Sequence, residues 1–195
     1  MSIARVYTVQ RANKDQGKCE KDGTLLPKGS AYRWWTKGFR SRYKHVRCMK
    51  PTCTPRPSEL ESSLLASVYA AQEDAQPRLS ALYSDVVDNA DELTQALQEI
   101  LEDVAAATDD VVQQYRDQDE QFGGGGNTDS AERADTLEAA AEALREWQPD
   151  GEPDACEAHD EIGQQPGCDD CQRALESWRD DAVNSAEQAL AEMEV

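Results

Sequence analysis

The residues best suited to chemistry in this chain are six cysteines and two histidines, and they fall into two groups. Cys19, Cys48 and Cys53 make the first, with Asp22 three residues after Cys19 and His45 three before Cys48. Zinc takes four soft or borderline donors in a tetrahedron, usually as two pairs each held by a tight turn. His45-x2-Cys48 and Cys48-x4-Cys53 both offer such a pair. Cys19 lies in the turn KCEKDG, where Asp22 holds the position a second cysteine would fill. The expected ligands of a first zinc ion are thus four of Cys19, Asp22, His45, Cys48 and Cys53, with the fourth open between His45 and Asp22. The second group, Cys156-x2-His159 and Cys168-x2-Cys171, has tight spacing in both pairs and eight residues between them. Cys168 and Cys171 would open the last helix, whose positive end favours thiolates. With all four positions filled by protein, a second zinc there would be a structural clasp between the last two helices.

Catalysis finds little support, and no catalytic residue is expected. The glycines Gly123–Gly126 lie between helices rather than after a strand, and no local triad pattern surrounds the serines and histidines. The many acids of the second half form carboxylate pairs by chance and read as solvated helix faces.

Charge divides the chain sharply. Residues 1–58 hold 14 Lys+Arg against three acids, a net +11; residues 59–195 hold six Arg, no Lys and 36 acids, a net −30. A basic head of that kind suits a polyanion, and the acidic body suits a regulatory or assembly role. The two halves could also simply attract one another. An acid-rich body poor in lysine is, besides, a composition that stays soluble in strong salt. The chain is 38% hydrophobic and 6% aromatic, thin for one large core. It has no apolar run of the roughly 20 residues a membrane span needs. MSIARVYTVQ lacks a basic-then-apolar secretory layout, so the cytoplasm is the expected compartment, where thiols stay reduced and available to metal.

The elements that must position these groups follow from pattern. The fold class expected is mostly α, with a small N-terminal β-hairpin zinc finger and long amphipathic, coiled-coil-like helices. Residues 1–57 read as a basic finger module, 58–122 as a long helical segment and 123–195 as an acidic helical hairpin. Ile3–Val9 reads as a short strand, and Ala31–Thr36 with Arg42–Cys48 as a hairpin. Ser58 with Glu61 predicts a capping box and a helix start, with a break near Pro77. Leu79, Val86, Leu93, Ile100 and Ala107 recur every seven residues, and Leu82, Ala90, Leu97, Val104 and Val111 fill neighbouring positions. That stripe predicts one long helix over about 78–120. Further helices are expected from Asp129 or Ser130 to about Trp147, with Leu137, Ala141 and Leu144 inward, and from Asp169 to Glu192.

The run KCEKDGTLLPKGSAYRWW…KHVRCMKPTC resembles the poly(ADP-ribose) polymerase-type zinc finger, with its Cys-x2-Cys, proline-lysine-glycine turn, basic strand and His-x2-Cys. It is also similar to a finger of tailed-phage proteins, with Cys-x2-Cys, an aromatic-basic hairpin and Cys-x4-Cys before a proline-rich stop. FGGGGNTDSAERADTLE resembles the acidic helical part of those phage proteins. The finger likeness covers about 40 residues, and the phage likeness, more loosely, most of the chain. The first implies Cys19, His45 and Cys48 as ligands, the second Cys19, Cys48 and Cys53; Asp22 departs from both. The implied fold is a small treble-clef-like finger, the implied role DNA binding, and the implied compartment for a phage protein the host cytoplasm.

Aromatics stand among the charges of the head. Arg33, Trp35, Lys37, Arg40, Arg42, Lys44 and Arg47 are the expected nucleic-acid contacts, with cations for phosphates and tryptophan for exposed bases. Of the adjacent Trp34 and Trp35, one should face the core and one the surface. The expectation is therefore a zinc-stabilised, non-enzymatic protein whose head binds nucleic acid, DNA above all, and whose acidic helices serve assembly, as a homo-oligomer, or regulation. The rival is an interaction protein whose acidic helices bind a basic protein partner or mimic nucleic acid while the finger is structural.

Overall fold

The computed structural model describes residues 4–37, 43–84, 89–121, 129–153 and 168–193. The chain forms two compact units, Met1–Ala70 and Ala71–Val195.

Three short antiparallel strands organise the N-terminal unit: β1 (Tyr7–Val9), β2 (Tyr32–Trp35) and β3 (His45–Cys48), in the order β1-β2-β3. β1 adds a third strand to the expected hairpin, with Tyr7 opposite Trp34 and Val9 opposite Tyr32. Across β2 and β3, Tyr32 pairs with Cys48, Trp34 with Val46 and Trp35 with His45. Because side chains alternate, Tyr32, Trp34, Val46 and Cys48 share one face and Arg33, Trp35, His45 and Arg47 the other. The first face packs with Ala12, Cys19, Leu26 and Cys53 into one small core. On the second, Trp35 is 1% exposed, stacked on the His45 ring at 5.2 Å with the Arg47 guanidinium 5.4 Å over it.

The sheet ends in a single 3-10 turn, Pro51–Cys53, and then in α1 (Pro57–Leu60). A helix starts beside Ser58 as expected, at Pro57, but its capping pair is Arg56 with Glu59 rather than Ser58 with Glu61. The Glu59 carboxylate accepts the Arg56 N–H at 2.8 Å, and the helix stops after one turn. Glu61, 1% exposed, instead accepts the N–H groups of Ser62 and Ser63 at 2.8 and 2.9 Å, ahead of the next helix.

The remaining helices are α2 (Ala66–Leu82), α3 (Ala90–Gln121), α4 (Asp129–Glu146) and α5 (Asp169–Glu192). α2 continues through Pro77, where a break was expected. Proline removes one helical N–H, but Ala75 and Leu79 on either side are buried, and that packing outweighs the lost bond. The single helix expected over 78–120 is also corrected: α2 ends at Leu82 and α3 begins anew at Ala90, where the Asn89 side chain accepts the Asp91 N–H at 2.9 Å as an N-cap.

Of the seven-residue stripe, Leu79, Leu93, Leu97, Ile100, Val104 and Val111 are buried, while Val86 lies outside the described residues. Leu101, Ala105, Thr108, Val112 and Tyr115 are buried beside them and widen the apolar face of α3. A face this wide serves two neighbours, and both α4 and α5 pack on α3. α4 turns Ala134, Leu137, Ala141 and Leu144 inward; α5 buries Leu175, Trp178, Ala182, Val183, Ala186 and Leu190. The scarce arginines link helices: Arg78 pairs with Asp103, Arg116 with Glu138, and Arg145 with both Glu102 and Asp109. No helix among the described residues is long and apolar enough to cross a membrane.

Candidate metal centre

Cys19 and Asp22 come from a tight backbone knuckle. Cys19 N–H donates to Thr24 C=O at 2.8 Å and Gly23 N–H to Cys19 C=O at 2.9 Å, while Lys18 and Leu25 bridge behind them. Gly23 has φ +69, a conformation that strains any residue with a Cβ, so the glycine after Asp22 is what lets the turn close. Glu20 N–H donates to Val46 C=O at 3.0 Å, which ties the knuckle to β3 and brings Cys19 towards Cys48. Cys48 ends β3; Cys53 returns to it on the 3-10 turn, its N–H on the Lys50 carbonyl at 3.0 Å.

These elements gather Cys19, Asp22, Cys48 and Cys53, whose ligand atoms all lie within 4.8 Å of one another, close enough to hold a metal ion. The three thiols are buried, at 2%, 5% and 1% exposed for Cys19, Cys48 and Cys53, and Asp22 closes the outer side. Metal–sulfur and metal–oxygen distances of about 2.3 and 2.0 Å in a tetrahedral zinc site put sulfur about 3.5 Å from a ligand oxygen. The Cys48 Sγ to Asp22 Oδ2 distance is 3.7 Å. The donor set and its spacing therefore fit a tetrahedral ion with little rearrangement.

The electrostatics fit as well. Burial pushes Cys53 up to about 11, with the Cys48 and Cys19 thiols adding to the shift. Burial acts the same way on Cys19, yet backbone N–H groups of Cys48, Asp22 and Lys21 directed at its sulfur bring it below the ordinary thiol value. Lys50 foremost, then Cys19 and Thr24, hold Asp22 well below the usual carboxylate range. Charge is thus favoured at Asp22, eased at Cys19 and opposed at Cys53 by burial and by the neighbouring thiols. A divalent cation would offset that opposition.

His45 lies apart from these four. Its Nδ1 is 2.9 Å from Glu20 Oε2, and its ring sits between Trp35 and the edge of Tyr43. Between the two candidates for the fourth position, the cluster contains Asp22. In the second group, Cys156 and His159 lie outside the described residues; Cys168 is the N-cap residue of α5 and Cys171 is buried in its first turn. Thr24 and Lys50, which hold Asp22, were not singled out from the sequence. Lys50 is two residues from Cys48, but nothing in its spacing shows that its side chain folds back onto the knuckle.

The expected nucleic-acid contacts are placed unevenly. Trp35 is core, and Arg47, 7% exposed, pairs with the Glu59 carboxylate, so neither reaches a surface ligand. That corrects both assignments: alternation turns Trp35 and Arg47 to the face covered by His45 and Glu59, while Trp34 is half-buried against the small core on the other face. Arg33 is half-buried, with Nη1 on Thr54 Oγ1 at 3.2 Å. Lys37 is half-buried, and Arg40 and Arg42 lie outside the described residues. Lys44 sits 4.6 Å over the Trp34 ring and 5.0 Å over Tyr32, while Trp34 stacks on Tyr7 at 4.6 Å and Arg5 covers Tyr7 at 5.5 Å. Arg5, Tyr7, Trp34 and Lys44 therefore form a continuous ledge of two stacked rings with a cation at each end, with Tyr7 44% exposed. Tyr7 was not among the expected contacts; β1 brings it there.

No family model matches this chain, nor does any curated protein or solved structure.

Proposed function

We propose that the N-terminal unit is a zinc-stabilised module that binds nucleic acid, DNA in the first instance, and that the acidic helical unit is its assembly or regulatory arm. The observation that carries this reading is the ledge of Arg5, Tyr7, Trp34 and Lys44, whose rings stand on the sheet that also carries Cys48 of the four-ligand cluster. Two stacked rings flanked by cations match a nucleotide's own chemistry: a flat base and an anionic phosphate. Zinc is the ion that three thiolates and one carboxylate favour, and a head with so small a core needs it to hold the sheet. The reading is not enzymatic. The small treble-clef-like finger, with the phage-like context its sequence resembles, belongs to this proposal.

The test is binding of duplex and single-stranded DNA by the full-length, zinc-loaded protein across a salt series. Affinity that falls steeply with salt, and falls again in an Arg40→Ala, Arg42→Ala, Lys44→Ala variant that still folds, supports the head as the binding unit. Unchanged affinity in that variant removes it. A second reading rests on the helical unit. Each of its inter-helix arginines is already paired, within a half of the chain whose net charge is −30, which suits a basic protein partner. Protein without DNA affinity but with salt-sensitive binding to a basic protein favours that alternative.

A further inference from the structure

Aspartate is an unusual fourth ligand beside three cysteines, and its surroundings say what makes it serviceable. Asp22 sits on the outer side of the cluster, where a free carboxylate would rotate into water. Three donors prevent this. Thr24 N–H fixes Oδ1 at 3.0 Å, while Thr24 Oγ1 at 2.8 Å and Lys50 Nζ at 2.7 Å fix Oδ2. Oδ2 is also the oxygen 3.7 Å from Cys48 Sγ. Lys50 Nζ reaches Thr24 Oγ1 as well, at 2.9 Å, and the Lys50 carbonyl accepts the Cys53 N–H. One residue thus holds both halves of the cluster: its backbone the Cys48–Cys53 turn, its side chain the knuckle.

Charge points the same way. Three thiolates and a carboxylate around a divalent ion leave a doubly negative centre, and Lys50 is the cation placed against it. We infer that Lys50 is a positioning residue of the metal centre, which aims the Asp22 carboxylate at the ion and offsets the surplus negative charge of the ligand set. The inference rests on the proposed metal reading and adds the residue that makes a Cys3Asp set work. An exposed Lys–Asp pair elsewhere contributes little. Partners of metal ligands, in contrast, change metal affinity by about 10- to 100-fold.

The test measures zinc affinity of the full-length protein by competition with a chromophoric chelator, alongside the absorption spectrum of the cobalt-loaded form. Lys50→Met should bind zinc about 10- to 100-fold more weakly than wild type, and Lys50→Arg should recover part of the loss. The thiolate-to-cobalt absorption of Lys50→Met should keep its wild-type intensity at saturation, because the three sulfurs remain. In an Asp22→Ala background, Lys50→Met should add a smaller loss than in the wild-type background, because only its charge then acts. Zinc affinity in Lys50→Met within twofold of wild type overturns the inference. So does an undiminished loss in the Asp22→Ala background, because Lys50 would then act without the carboxylate. A wild-type protein that takes up neither metal overturns the centre itself, an outcome told apart from the other two by the wild-type titration alone.

Discussion

The two units of this protein solve the problem of staying folded in opposite ways. The N-terminal unit has three strands of three or four residues, and three of the residues in its core cluster are cysteines. The helical unit has a 32-residue helix with ten buried side chains and two further helices packed on it. Apolar burial contributes about 25 cal/mol per Å², so the second can be stable on packing alone, whereas a core built partly of thiols cannot. The comparison teaches where the metal matters. An ion held by Cys19, Asp22, Cys48 and Cys53 would be decisive for the N-terminal unit, whereas the packing of α3, α4 and α5 does not depend on that cluster.

Breaking the comparison at its strongest point means removing the metal. Chelation, or Cys48→Ser, should abolish the order of the sheet, because structural zinc in small modules contributes on the order of 10 kcal/mol. The readouts are the near-ultraviolet tryptophan signal, shared by Trp34 and Trp35 with Trp147 and Trp178 of the helical unit, and the far-ultraviolet helical signal; the first should lose the share of Trp34 and Trp35 while the second stays. Loss of both together would mean that the units are not independent in stability. The converse break is Leu101→Ala in α3, a fully buried side chain. Thermal unfolding of the helical signal should show a loss of about 2–5 kcal/mol, with zinc stoichiometry unchanged.

How much of each unit could be read in advance follows the same divide. Helices advertise themselves by period: α4 and α5, with Leu137, Ala141 and Leu144 inward, stand where the pattern put them. The period misled where tertiary packing carried α2 through Pro77, where Asn89 restarted a helix that looked continuous, and at Leu82, Ala90 and Ala107, which are only half-buried. In the N-terminal unit the cysteines were legible because thiols are rare and their spacing is short. The choice between Asp22 and His45 was not, because it depends on which strand neighbour each side chain meets: His45 turns to Trp35 and Glu20, on the opposite face from Cys48. Trp34 and Trp35 show the same limit. Alternation says that they differ, but only the packing says how: Trp35 is enclosed by His45 and Arg47, and Trp34 is half-buried between the core and Tyr7.

A smaller effect sharpens the functional side of the comparison. Trp34→Ala should weaken single-stranded DNA binding by roughly 5- to 150-fold, the range for loss of one base-stacking ring. Glu138→Gln, which weakens an exposed helix–helix ion pair with Arg116, should leave that affinity unchanged. Titration of labelled oligonucleotide at fixed salt checks both. Equal effects would mean that the ledge does not stack bases.

The smallest effect belongs to the helical unit and is read in pH rather than in metal. Tyr83 donates its hydroxyl towards Glu187 Oε2 at 3.4 Å and Asn184 Oδ1 at 3.5 Å, which joins the end of α2 to α5. Burial, followed by the Glu187 carboxylate, raises its pKa above the ordinary tyrosine value. A phenol raised on folding favours the protonated native state. Its contribution is therefore complete below the unfolded value of about 10 and is lost as pH rises through the folded one. Thermal melts of the helical signal should lose stability in that alkaline window, and Tyr83→Phe should flatten the loss while leaving the profile at neutral pH parallel to wild type. Alkali does not protonate thiolates, so an N-terminal unit loaded with zinc should keep its order until Lys50, which Asp22 holds above the ordinary lysine value, loses its proton at still higher pH. A parallel alkaline loss in the signal share of Trp34 and Trp35 would show the titration acting on both units, and would return the comparison to a single cooperative fold.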